Sequence, residues 1–469
     1  MPDPLRARWP HILIALILLV ILSPTPTPKP LTDAIEGATM SLQSHDIPAA
    51  LSYLGTIAEF EPALVNSYNF AVELAEGDRN YDWLRENLPR AEELTGAPSI
   101  SSCTRWLLEF QTEPKKIALD YLTGSELNCP ILLEEIEAYL VDQFDHADPE
   151  DVYPLIEMLI QIDENPELEL RYALALAATV PELALPWIEK VDVPGNPQSH
   201  LLDSLVVIIT SPETDSSIKS AQIGRKFAES NYWELARISF AKALDIEPEY
   251  TEARAYYGLS LDMSGKDGGK ELERAIETAP ESAMAHAFMG IHLKNNGELE
   301  EAREAFESAI ELEPDNAGTI AELASIYERL GEIESAKSAY VLAAEIGDND
   351  PVFWALLVDF SLTHELEVDT LGIPAARNAV VLGGGSPDDL AALGYAHLLD
   401  NDFVLAERIL RYAIVKDPSL AAAYYYLGLL KNLQGDTQGS ILSLKQAALL
   451  DPGGPYEDLA NRTLEKLTP

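Results

Sequence analysis

From Ser217 onward the sequence repeats every 34 residues, and a period of this length constrains the fold more than any single motif could. In the unit Ala283–Asn316, Gly290 stands at repeat position 8, Gly297 at 15, Ala302 at 20, Phe306 at 24, Ala309 at 27 and Pro314 at 32. Ser217–Tyr250 places Gly224, Phe227, Ala236, Phe240, Ala243 and Pro248 in the same frame. Ala317–Asp350 places Leu323, Ala324, Tyr327, Gly331, Ala336, Tyr340 and Ala343 there. Pro387–Leu420 supplies Leu393, Gly394, Ala406, Leu410, Ala413 and Pro418; Ala421–Gly454 supplies Tyr424, Leu427, Gly428, Gly435, Leu444, Ala447 and Pro452. Two units depart from the pattern. Thr251–Ser282 keeps Tyr257, Gly258, Leu261, Ala275 and Pro280 but is two residues short at its inner turn. Pro351–Ser386 keeps Trp354 and Leu357 and then runs into Gly383-Gly384-Gly385, which leaves its inner turn and second helix undefined. Units this small cannot bury an apolar face alone, so they must stack.

The pattern resembles the tetratricopeptide repeat, with its small residues at 8 and 20, aromatic at 24 and proline at 32. The resemblance implies two antiparallel helices per unit and an all-α, right-handed helical-hairpin solenoid. Small residues at 8 and 20 let the paired helices approach closely, the large residue at 24 fills the gap to the next repeat, and proline near 32 ends the second helix. The expected organisation is a leader and spacer over 1–30, weak repeats over 31–98, diverged hairpins over 99–216, about seven repeats over 217–454 and a capping helix over 455–469. The weak part holds Ala38, Ala50, Leu54, Ile57 and Pro62, then Tyr68, Leu84, Leu88 and Ala91. In the diverged part, Pro, Asn and Asp punctuate helices predicted over Ser102–Glu109, Pro114–Tyr121, Ile131–Phe144, Pro149–Ile162, Glu167–Ala178, Pro181–Lys190 and Ser199–Ile209. The capping helix carries Glu457, Asp458, Arg462, Glu465 and Lys466 on one side.

The N-terminus differs from the rest. Arg6, Arg8 and Trp9 precede Ile12–Leu22, an unbroken apolar run of 11, and Ser23–Pro30 follows with alternating prolines. This is the three-part layout of an export signal. It gives an N-terminal hydrophobic helix that anchors the chain in the cytoplasmic membrane, with the repeats on the far side. The alternative is a cleaved signal and a secreted or periplasmic protein. Against cleavage, no small-x-small pair closes the apolar run; against anchoring, the run is short for about 30 Å of hydrocarbon. The proline-rich exit reads as an extended spacer.

A net charge of −46, from 78 acidic and 32 basic side chains, excludes binding to nucleic-acid backbones and disfavours adsorption to anionic lipid. The 47% apolar content argues against global disorder. Ile117–Leu170 carries 15 carboxylates and no Lys or Arg. A solvated face explains this most simply; a basic partner or weak cation binding are the sharper readings. Two cysteines exclude a four-cysteine zinc site, and Cys103 and Cys129 are candidates for a disulfide in an exported chain.

Catalytic motifs are missing: no H-E-x-x-H, G-x-S-x-G or Walker-type sequence occurs. Gly383-Gly384-Gly385 reads as a turn between repeats. His286 and His292, six apart, do not share a helical face, and His286 falls on a packing position. Asp145, Asp148, Glu150 and Asp151 lack the spacing of an EF-hand, and Asn461-Arg462-Thr463 is a glycosylation triplet. No metal, cofactor or enzymatic activity is expected. By the resemblance, first-helix positions near 2, 5, 6, 9, 12 and 13 face a ligand groove. Here they include Arg225, Tyr256, Leu259, Phe288, Ile291, Lys294, Tyr395, Tyr425, Tyr426 and Leu429. The paired Lys and Asn with which the family clamps chaperone tails are not among them. An aromatic, apolar groove on an acidic body suits a peptide with apolar anchors and basic flanks. The expected function is an exported scaffold for protein–protein interaction. A passive acidic spacer, or a non-catalytic subunit of an envelope enzyme complex, is the alternative.

Overall fold

Small side chains on one helix and large ones on the next set how closely the helices of this protein pair. The computed structural model describes residues 29–60, 65–95, 100–124, 129–146, 149–162, 165–193, 195–212 and 215–467. Among them are 26 α-helices, one short π-helical turn and no strand. The apolar run Ile12–Leu22 lies outside the described residues, and no described helix is long and apolar enough to cross a membrane. The chain divides into two compact units at Val206–Val207, upstream of the point where the 34-residue signature begins.

In the first unit the spacer is shorter than expected. Lys29 and Pro30 open the helix Lys29–Ser44, because proline suits a first helical turn, where no backbone donor is needed. That helix pairs with Ile47–Phe60, which in turn packs on Val65–Gly77, and Leu31, Ile35, Leu51, Leu54, Phe70 and Leu84 form one core. Repeat position 15 is left-handed in both weak repeats, at His45 (φ 61°) and Arg79 (φ 56°). The diverged segment is helical over Ser102–Phe110, Pro114–Gly124, Pro130–His146, Pro149–Ile160, Pro166–Thr179, Pro181–Val191 and Ser199–Thr210, and five of these begin on proline. Cys103 and Cys129 are joined by a disulfide, with Cα atoms 5.5 Å apart and a separation of 26 in sequence. Closing a loop of that length is worth about 3–4 kcal/mol by chain entropy.

Most described carboxylates in the lysine-free stretch are exposed, among them Asp120, Glu134, Glu135, Asp142, Glu157 and Glu167. Glu169 is buried and is paired with Lys190 from outside the stretch at 2.8 Å. Asp148 lies outside the described residues, as do the side chains of Asp145, Glu150 and Asp151.

The second unit stacks seven hairpins and a final helix. The pairs are Ser216–Glu229 with Trp233–Ile246, Thr251–Met263 with Gly269–Thr278, Ala283–Asn296 with Leu299–Leu312, and Ala317–Arg329 with Ile333–Ile346. Pro351–Thr363 with Ile373–Leu382, Pro387–Leu399 with Phe403–Lys416, and Ala421–Leu433 with Thr437–Leu450 complete them, and Pro455–Leu467 follows. One contact recurs. A β-carbon on Gly224 would lie 2.9 Å from the Phe240 ring, on Gly290 2.8 Å from Phe306, on Gly394 2.7 Å from Leu410, and on Gly428 2.8 Å from Leu444. Position 24 therefore presses on position 8 of its own hairpin as well as reaching the next repeat, where Phe240 stacks on Tyr256 at 5.1 Å.

Both irregular units keep their helices close. In Thr251–Ser282 the second helix has lost its first turn, yet position 8 keeps its contact: a β-carbon on Gly258 would lie 2.7 Å from Leu272. Gly268 holds the small position 20. A β-carbon there would sit 2.0 Å from the carbonyl oxygen of Gly258. In Pro351–Ser386 the second helix is present, preceded by the π-helical turn Val368–Gly372, which takes up the extra residues. Here the sizes are exchanged: Val358 stands at the small position and Ala376 at the large one, both in one core cluster. Gly383-Gly384-Gly385 ends the helix as a turn, and the Gly385 carbonyl accepts a hydrogen bond from Lys416 Nζ (2.7 Å).

Position 15 is left-handed in every hairpin of this unit. It is filled by Gly265, Gly297, Gly331 and Gly435, by Asn231 and Asn401, and at Glu365 (φ 48°) by a residue that rarely adopts this conformation.

Phe306 is fully buried, so Phe306→Ala should cost about 3–5 kcal/mol in a denaturant titration. Gly290→Val should cost about 1–3 kcal/mol by overpacking. Gly290→Ala combined with Phe306→Leu should cost less than the sum of its parts. A fully additive pair, or no loss in Phe306→Ala, would contradict the contact described.

Candidate functional site

First helices of successive hairpins lie side by side, so one face of each contributes to a common surface in the second unit. At its C-terminal end this surface deepens into a pocket of about 530 Å³. Its walls come from Ala355, Asp359, Leu362 and Thr363 on one first helix, Asp388, Ala392 and Tyr395 on the next, Tyr425 and Tyr426 on the third, and Tyr456 and Leu459 on the final helix. Glu365, in the turn after the first of these helices, adds a fourth carboxylate beside Asp359, Asp388 and Asp389.

The tyrosines form one cluster. Tyr395 and Tyr426 stack with centroids 4.2 Å apart and planes 7° from parallel. Tyr456 meets Tyr426 edge-on at 6.2 Å, and Tyr425 lies 5.7 Å from Tyr426 and 5.9 Å from Tyr456. The hydroxyls of Tyr426 and Tyr456 are hydrogen-bonded at 3.3 Å. Burial raises the Tyr426 phenol well above its ordinary range, and the neighbouring Tyr456 raises it further. Burial likewise raises Tyr395, with added repulsion from Tyr425 and Glu365. Asp359 is exposed at the pocket, yet partial desolvation by the surrounding protein raises its carboxyl; Glu328 adds to this and His364 opposes it.

The remaining residues expected in the groove have other surroundings. Tyr256 packs between Phe240 and Phe288, whose ring lies 5.0 Å away. Arg225 is paired with Glu252 at 3.0 Å, and Lys294 with Glu322. Leu259 is buried, and Ile291 and Leu429 pack partly into core clusters. Three of the ten, Tyr395, Tyr425 and Tyr426, meet in the pocket. Sequence reasoning missed Asp359, Glu365 and Tyr456. Asp359 is at position 9 of a first helix already in frame, and Tyr456 is the second residue of its helix, so the positional rule covers Asp359 and would have found Tyr456 had the final helix been read as more than a cap.

His286 does not take a packing position. It is partly exposed, and its Nε2 is 3.0 Å from the Pro280 carbonyl oxygen. His292 meets Asp262 and Asp267, from the preceding repeat, with candidate ligand atoms within 4.8 Å of one another. Asp262 accepts from the Gly268 amide (2.8 Å) and lies 2.9 Å from His292 Nδ1, so hydrogen bonding explains this trio as the closure of the shortened turn.

Helix pairing by small-against-large contact, a left-handed inner turn and a shared first-helix face together define the repeat, and residues 293–359 match the tetratricopeptide repeat family. Residues 293–359 carry tetratricopeptide repeats. No curated protein matches it in sequence. Among solved structures, it is similar to YrrB, described as a tetratricopeptide protein with an unusual peptide-binding site, at 19% identity over 42% of this chain and 99% of that one, with a TM-score of 0.35. It is also similar to PilF of Pseudomonas aeruginosa, at 17% identity over 47% of this chain and 97% of that one, with a TM-score of 0.38. The yeast protein Tom70 is similar at 14% identity over 93% of this chain and 95% of that one, again with a TM-score of 0.38. All three scores are low, and the assignment of the tetratricopeptide repeats rests on the residues and the family match.

Several phenols in this unit are held protonated. Burial and then the hydrogen bond to Glu307 push Tyr327 up to about 12; burial and then Glu328 raise Tyr340. Such groups stabilise the fold fully below the unfolded tyrosine pKa of about 10 and lose that contribution as pH rises through the folded value. Urea unfolding should therefore change little from about pH 8 to 10 and weaken from about 10 to 12, with a smaller loss in Tyr340→Phe. A flat profile in that upper range would contradict the assignment.

Proposed function

We propose that this protein is an exported, non-enzymatic tetratricopeptide scaffold that binds a protein or peptide partner on the first-helix face of its C-terminal repeats. The observation that carries the binding role is the pocket, because four successive first-helix positions converge there on one tyrosine cluster. A pocket of this size, largely apolar with a few polar groups, has the make-up of a ligand site. The acidic exterior sets the sign of a partner's flanks.

Two features support export. Arg6 and Arg8, the apolar run Ile12–Leu22 and the proline-rich exit have the order of a signal segment. The Cys103–Cys129 disulfide belongs to oxidising compartments. On this reading the segment anchors the chain and the repeats stand outside the cytoplasmic membrane.

Binding is tested by placing a photo-crosslinking residue at Tyr425, in the pocket, or at Val415, which is 75% exposed on a second helix. Crosslinks to one partner from position 425 and not from 415 are expected. Equal yields from both positions would remove the groove from the function. For export, a C-terminal alkaline phosphatase fusion should be active in a bacterial host, and an inactive fusion retained in the cytosol would overturn that part.

A further inference from the structure

We propose that the tyrosine pocket is a cation site, which seats a lysine or arginine side chain of the partner. This rests on the groove reading above and names the chemistry that the groove selects.

The lining decides the sign. Its 16 residues include four tyrosines and four carboxylates, and no Lys, Arg or His. Elsewhere on the same face charges are already matched, as in Arg225–Glu252 and Lys294–Glu322. Asp388 and Asp389 have an internal explanation. They sit in the first turn of Pro387–Leu399, where acids complement the helix dipole, and Asp389 also accepts from Ser386 Oγ at 2.6 Å.

Asp359 and Glu365 have no such explanation. Neither side chain has a hydrogen bond or ion pair with a described residue. Asp359 is in mid-helix on the exposed side of the pocket, where the protein around it and Glu328 disfavour its charge and His364 alone favours it. Glu365 holds the left-handed inner-turn position that the other six hairpins of this unit give to Gly or Asn. An acid kept in a strained backbone position beside an unpaired acid indicates a use outside the fold itself.

A cationic side chain supplies what is missing. Its charge neutralises Asp359 and Glu365, its N–H groups donate to carboxylate and phenol oxygens, and aromatic rings attract it electrostatically. An apolar anchor would desolvate these carboxylates without a partner. A small inorganic ion would leave the rings without a role.

The test is calorimetric titration of the full chain, in mild detergent, with three probes. These are an alanine-based peptide carrying one central lysine, the same peptide with norleucine in its place, and n-butylammonium. The lysine peptide should bind roughly tenfold more tightly than the norleucine peptide and weaken as salt rises. Asp359→Asn combined with Glu365→Gln should lose about tenfold for lysine and change norleucine little. Glu365→Asn should raise the melting temperature while lowering lysine binding, a pairing that a purely structural residue would not give.

Equal binding of lysine and norleucine would overturn the cation site and leave an apolar groove. Unchanged lysine binding in the double variant would place the cation elsewhere on the acidic surface. Butylammonium binding as tightly as the peptide would make the ligand a free amine instead of a partner. Binding of none of the three would end the proposal, while crosslinking from Tyr425 still decides the groove reading independently.

Discussion

The second unit depends on one contact, a large side chain at position 24 pressed against a residue with no side chain at position 8. Five hairpins bring a ring or a leucine within 3.0 Å of where a glycine β-carbon would stand. Close packing of this kind brings two backbones together and fixes their separation. Every first helix then presents the same edge at the same height, and the pocket follows from that regularity. Where the long repeat breaks the rule, the sizes are exchanged, with Val358 at the small position and Ala376 at the large one.

Much of the helix layout was legible because its signals are local. Prolines open five helices of the diverged segment, three where expected and two, at Pro130 and Pro166, one residue before the expected start, since proline lacks the donor that a first turn does not need. The left-handed inner turn could be read where glycine or asparagine marks it. At His45, Arg79 and Glu365 the conformation is the same but the residue type hides it. The π-helical turn at Val368–Gly372 left no periodic trace, because two surplus residues can be absorbed in many ways.

The site was legible in part. Tyr395, Tyr425 and Tyr426 follow from position within a regular repeat. Leu259, Ile291 and Leu429 satisfy the same rule and turn inward, since apolar side chains near the edge of a helix face gain more from the core than from solvent. Asp359 stands at position 9 of a first helix already in frame and was passed over because the groove was sought in apolar and aromatic residues, while Glu365 lies in the inner turn that was undefined. Tyr456 was overlooked because its helix carries five charged residues, although Ala460 is fully buried and Leu464 and Leu467 pack on the preceding hairpin.

Tyr456 also gives the pocket a place in time. It comes 30 residues after Tyr426, on a helix that follows every other wall of the site in sequence. A growing chain folds its earlier hairpins first. The tyrosine cluster therefore stays open on one side until this helix has been made and has docked. The capacity to bind arrives only after the stack beneath it is already built.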